Sequence, residues 1–130
     1  MAVPGLRGLT LDTGALIAAE RDSRRFWAYW KLGREPPRRI TLPAPVLAQA
    51  WRKNTAPIAH LVQACTIEPL DLPCAKAIGQ LLARSGTSDI VDAMVVLGAV
   101  QRGDAIVTSD PGDIERLLAA AGAKLPLILV

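Results

Sequence analysis

A chain of 130 residues, 51% of them hydrophobic, is sized for one domain, residues 1–130, with ample material for a core. Its two cysteines and single histidine exclude a zinc knuckle, a Cys-x-x-Cys redox pair, a His-rich zinc site and catalysis by paired imidazoles. No apolar run nears the ~18 positions of a membrane span, and "MAVPGLRGLT" has no signal-peptide pattern, so a soluble cytoplasmic protein without membrane contact is expected.

Taken in chain order, "LRGLTLD" reads as a short buried strand ending at Asp12, and "TGALIAAER" as a helix with Thr13 as its cap. "SRRFWAYWKLG" has helical spacing from Ser23 to Gly33, and the prolines of "REPPRR" make a loop. "ITLP" is a strand, with Pro43 and Pro45 suited to the first turn of the helix "APVLAQAWRK". "TAPIAHLVQAC" is a helix, "TIEPL" a strand, and "LPCAKAIGQLLARSG" a helix ended by Gly86. "TSDIVDAMVVLGAVQRG" opens on a cap cluster and runs as an apolar helix to Gly103. "DAIVTSD" is a strand, "PGDIERLLAAAG" a helix and "KLPLILV" a last strand. This alternation implies an α/β fold: a mostly parallel central sheet of four to five strands, with helices on both faces. It also disposes of one reading of "LDTGAL". Asp-Thr-Gly marks aspartic proteases, but those are almost wholly β.

In open α/β sheets, functional groups gather beyond the carboxyl ends of the strands. Asp12 and Asp110 each end a strand, and Asp89 and Asp92 stand three apart in the first turn of the apolar helix. If the strands of Asp12 and Asp110 are neighbours, the four acids converge. Asp89 is accounted for by the helix dipole. Asp92, a turn further into "DIVDAMVVLGAV", is harder to explain without a cation, because an unpaired buried carboxylate is costly. Carboxylates without histidine or thiolate make a hard oxygen site, suited to Mg²⁺ or Mn²⁺ and to phosphate chemistry.

The net charge of +3 says less than its distribution. Nine of fifteen Lys and Arg, and all five aromatic residues, lie between Arg21 and Lys53. Such a region suits a polynucleotide, with Arg24, Arg25, Arg38 and Arg39 facing it. "FWAYW" equally suits packing between helices or at a dimer interface, or reception of a partner helix.

The segments "LDTGALIAAE", "LPAPVLAQAWR" and "SDIVDAMVVLGAVQRGDAIVTSDPGDI" resemble the PIN-domain nucleases, and among them the VapC-type toxins of toxin–antitoxin pairs. The resemblance implies a PIN-like three-layer fold, Mg²⁺- or Mn²⁺-dependent cleavage of RNA, a homodimer, and inhibition by a cognate antitoxin. It makes Asp12, Asp92 and Asp110 the catalytic and metal-holding acids, with Asp113 a second acid of the last loop and Asp89 an additional one. Thr13 and Ser109 fall where the family places hydroxyls beside the metal. One position departs: the family's second acid aligns with Gln49, whose amide oxygen brings no charge. The alternative reading is therefore a PIN-like module that binds RNA or a protein and cleaves weakly or not at all.

Overall fold

In a computed structural model, residues 7–33, 38–53 and 55–130 are described. They form twelve elements, in the order and of the types expected. These are β1 (Gly8–Leu11), α1 (Thr13–Glu20), α2 (Arg24–Gly33), β2 (Arg39–Pro43), α3 (Ala44–Ala50) and α4 (Ala56–Ala64). The second half holds β3 (Thr66–Glu68), α5 (Leu72–Ser85), α6 (Ile90–Arg102), β4 (Ala105–Thr108), α7 (Pro111–Ala120) and β5 (Leu127–Leu129).

The helix boundaries follow from local chemistry. Gly86 and Gly103 stop α5 and α6 in the left-handed conformation, at φ of 68° and 73°, which costs glycine little. Ser23 Oγ accepts the Phe26 N–H and starts α2. One cap differs from expectation: Asp12, not Thr13, caps α1, its Oδ1 accepting the Ala15 N–H at 2.8 Å. Thr13 is already helical. An aspartate with extended backbone at the strand's end leaves the cap no later position.

The sheet is wholly parallel, with strand order β3-β2-β1-β4-β5. Right-handed crossovers that run outward from β1 in both directions place helices on opposite faces. Helices α2, α3 and α4 all pack on α1, while α5, α6 and α7 pack on one another. The three layers enclose a core in which Leu9, Leu11, Leu16, Leu42, Ile58, Leu81, Met94 and Ile106 are almost wholly buried. The aromatic cluster belongs to this packing. Phe26 and Trp30 are buried and stack at 6.2 Å, Trp27 meets Phe26 edge-on at 5.0 Å, and His60 lies against Trp27 and Trp30. Among the described residues, no helix is long and apolar enough to cross a membrane.

Thr10 points to the opposite face from Leu9 and Leu11 and enters a buried polar clamp. Its hydroxyl donates to Asp104 Oδ2 at 2.8 Å and accepts from Arg102 at 3.0 Å. The Arg102 guanidinium also holds Asp104 at 2.9 Å and Glu68 at 2.6 Å. One side chain thus ties the end of α6 to β1, the start of β4 and the edge strand β3. Gly98 makes room for it: a Cβ there would stand 2.7 Å from Glu68 Oε1 and 2.8 Å from the guanidinium.

Candidate active site

Strands β1 and β4 are hydrogen-bonded neighbours, with Leu11 level with Val107. The Asp12 N–H continues the ladder to the Val107 carbonyl at 3.1 Å. Asp12 and Asp110 therefore meet at the carboxyl edge of the sheet, at the point where crossovers depart in opposite directions. Three helices begin here. Asp12 caps α1, Asp89 caps α6 through the Asp92 N–H at 3.0 Å, and Asp110 stands at the head of α7 without a side-chain cap bond. Their positive ends favour negative charge at this edge, each by about 0.3–1 kcal/mol.

That help is outweighed at two positions. Asp12 is 5% exposed, and burial raises its pKa above the ordinary value. The Thr108 hydroxyl and the N–H groups of Ala15 and Gly14 oppose the rise, while Asp110 adds to it. Asp92 is half-buried and is pushed up to about 6, first by burial and then by Asp89, Asp12, Asp113 and Asp110. The other four acids singled out in the sequence therefore all lie within electrostatic reach of Asp92. Asp89, Asp92 and Asp113 share a groove of about 280 Å³ with Thr87, Ser88 and Arg116. Arg116, one helical turn beyond Asp113, is a cation at the rim that the sequence reading passed over.

The hydroxyls are placed unequally. Thr13 Oγ1 donates to Gln49 Oε1 at 2.6 Å, so Gln49 stands one residue from Asp12, exposed and neutral. Ser109 lies over Gly14, where any Cβ would collide with its hydroxyl. Thr108, absent from the sequence reading, is the buried one. It is level with Asp12 and close enough to hold its pKa down, while its hydroxyl donates to the Asp110 carbonyl at 3.2 Å and accepts the Asp110 N–H at 3.1 Å. Its signal was a polar residue closing an apolar strand, but only the β1–β4 register shows which acid it serves.

The basic residues are not gathered with the acids. Arg39 pairs in register with Gly8, at the opposite edge of the sheet and about 13 Å along the strand from Asp12. Arg38 donates to the Leu32 carbonyl at 3.1 Å, at the end of α2. Arg24 and Arg25 are exposed on the first turn of α2.

The donor set is all oxygen and strongly anionic, which fits a hard divalent cation in charge and in ligand type. Among the described residues, no three acid, histidine or cysteine side chains close around a metal position. An ion that keeps most of its waters needs only one or two carboxylates, so an open ring of acids suits Mg²⁺ better than a closed cage would. The class these features define is an α/β domain with an acid cluster at the switch point of a parallel sheet.

No family model and no curated protein sequence matches the chain. Solved structures do. A chain of the VapBC2 complex from Rickettsia felis, bound to a promoter DNA fragment, superposes with a TM-score of 0.68 at 17% identity, over 92% of this chain and 96% of that one. A chain of DNA-bound VapBC from Salmonella typhimurium gives 0.66 at 21% identity, over 94% and 98%. A chain of FitAcB from Neisseria gonorrhoeae gives 0.63 at 18%, over 92% and 96%. The fold is thus the PIN-like fold expected from the sequence, matched along nearly the whole chain.

Proposed function

We propose that this protein is a metal-dependent endoribonuclease, the toxin of a toxin–antitoxin pair. The observation that carries the reading is Asp92, a half-buried carboxylate that burial first, and four other acids after it, push up to about 6. Crowding of this kind destabilises the metal-free chain, and a divalent cation relieves it. Asp12, Asp92 and Asp110 would hold Mg²⁺ or Mn²⁺, with Asp89 and Asp113 at the border of the ring. The bound ion supplies a water of lowered pKa and a positive charge for the phosphate. Thr108 stands level with Asp12 on the neighbouring strand and holds the Asp110 backbone, and Ser109 and Thr13 follow Thr108 and Asp12 in the chain. The exposed Arg24, Arg25 and Arg39 add positive potential that draws a polynucleotide to the surface. Support for a protein partner comes from the neighbours, solved as VapBC and FitAcB assemblies. A cognate antitoxin is accordingly a proposed partner, and a second copy of the chain and a cytoplasmic location are proposed from the sequence. The test is cleavage of a structured RNA: turnover with Mg²⁺ or Mn²⁺, and none with chelator. Absence of turnover with either ion refutes the nuclease reading.

Gln49 favours a second reading, a PIN-like binding module with little or no cleavage, because it sets a neutral amide where a charged ligand would serve. Gln49→Glu keeps an acceptor for Thr13 and adds a negative charge beside Asp12. Being exposed, that charge is screened, so Mg²⁺ affinity should rise only severalfold, together with turnover at low Mg²⁺. Calorimetric titration of Mg²⁺ into both forms checks this. Equal affinities would place residue 49 outside the metal's reach.

A further inference from the structure

Beside the acid ring, a groove of about 240 Å³ runs between α1 and the end of α3. Its floor is the face of α1 carrying Ile17, Glu20 and Arg21, spaced from Thr13 as one helical stripe. Its other wall is Gln49, Ala50 and Arg52. The Thr13–Gln49 hydrogen bond closes the upper end, so the groove starts one residue from Asp12. It extends to Arg21, about 12 Å down the helix at 1.5 Å per residue.

Three features in and next to this groove are unexplained by the fold. Trp51, which follows Ala50 and precedes Arg52 in the chain but is not itself part of the lining, is 42% exposed, whereas Phe26 and Trp30 are buried. Ile17 is 41% exposed on the facing helix. Arg21 and Arg52 form no ion pair among the described residues, and Lys53 follows them into solvent. Against this, Glu20 is the one acid in the lining. An indole left in water, next in the chain to one of two unpaired guanidiniums of the groove, suits single-stranded nucleic acid, where bases stack on aromatic faces and cations take the phosphates. A protein segment covering Ile17 and Trp51 would have to bring its own acids to Arg21 and Arg52, whereas a polynucleotide supplies one charge per nucleotide.

We infer that this groove is the track along which single-stranded RNA reaches the acid ring, with a base stacked on Trp51 and backbone phosphates on Arg21 and Arg52. The inference rests on the ribonuclease reading and assigns the substrate's path within it. It also explains how a chain whose Arg38 and Arg39 lie at the far edge of the sheet can hold RNA at the carboxyl edge.

The experiment measures binding of a fluorescently labelled twelve-residue oligouridylate in chelator, where cleavage cannot proceed, at several salt concentrations. Trp51→Ala should weaken binding about 10-fold, and Trp51→Phe should recover most of the loss. Arg21→Ala with Arg52→Ala should flatten the log–log salt dependence by about one to two units. All these positions are exposed, so unchanged melting curves confirm intact folding. Wild-type binding that all the variants retain in full overturns the track and leaves the nuclease reading standing. A wild-type chain that neither binds this probe nor cleaves RNA with metal overturns both. If the variants lose only a protein partner and keep oligouridylate affinity, the groove is a protein-docking surface and the track is refuted.

Discussion

Asp92→Asn should raise the melting temperature of the metal-free protein at pH 7 while abolishing metal-dependent cleavage. The Asp92 pKa is about 6 in the folded chain, against about 3.9 when unfolded. Between these values the folded state binds more protons than the unfolded state. Wild-type stability contributed by this group therefore falls as pH climbs from about 4 to about 6, and stays lowered above that. Two units correspond to about 3 kcal/mol, which partial exposure of the side chain reduces to about 1–2 kcal/mol, or roughly 3–8 °C at this chain length. Asparagine does not titrate. The gap between variant and wild type should open across this window and then hold level. Mg²⁺ should narrow it again, because only the wild type gains from the ion. Thermal melts of both proteins from pH 4 to pH 8, with and without Mg²⁺, check each part. A constant gap across that range would mean that Asp92 is not crowded by its neighbours.

Arg102→Met should have the larger effect on folding, a loss of about 3–5 kcal/mol. The methionine fills much of the same volume but leaves the side chain of Asp104, 3% exposed, with only the Thr10 hydroxyl, and leaves Glu68 with no cation. The penalty comes from the stranded carboxylates and not from a lost attraction. Neutralising both, as Glu68→Gln and Asp104→Asn in the Arg102→Met background, should therefore restore a substantial part of it. Denaturant midpoints at unchanged slope give the comparison. A triple variant no better than the single one would mean that packing around the arginine, not charge, fastens β3 to the sheet.

The contrast between these two residues shows what a linear sequence discloses. Asp92 stood out because its conflict is local: an acid inside an apolar helix is conspicuous without any knowledge of the fold. The twelve elements were legible for a similar reason, as apolar runs bounded by Gly86, Gly103, Ser23, Pro43 and Pro111. Asp12 and Asp110 were placed by a general rule about strand ends. Arg102 had no such signal, because two of its three partners, Thr10 and Glu68, lie 92 and 34 residues away. Thr108 was likewise hidden until β1 and β4 were in register. Trp51 was counted with the other aromatic residues of its region. Spacing along a helix cannot show that Phe26 and Trp30 turn inward while Trp51, just past the end of α3, stays in water.

The central position of β1 also sets when the acid ring can come into being. Asp12 precedes β4, which supplies its neighbours Thr108 and Asp110, by nearly a hundred residues. A growing chain that has completed β1, β2 and β3 holds three of the five strands and four of the seven helices, yet only one of the five acids. At about 5–20 residues per second, the ring is assembled roughly 5–20 s after Asp12 is joined. Pairing across so long a stretch is also a slow step of folding. Through that interval Asp12 stands as the cap of α1 with none of the acids that later crowd around it.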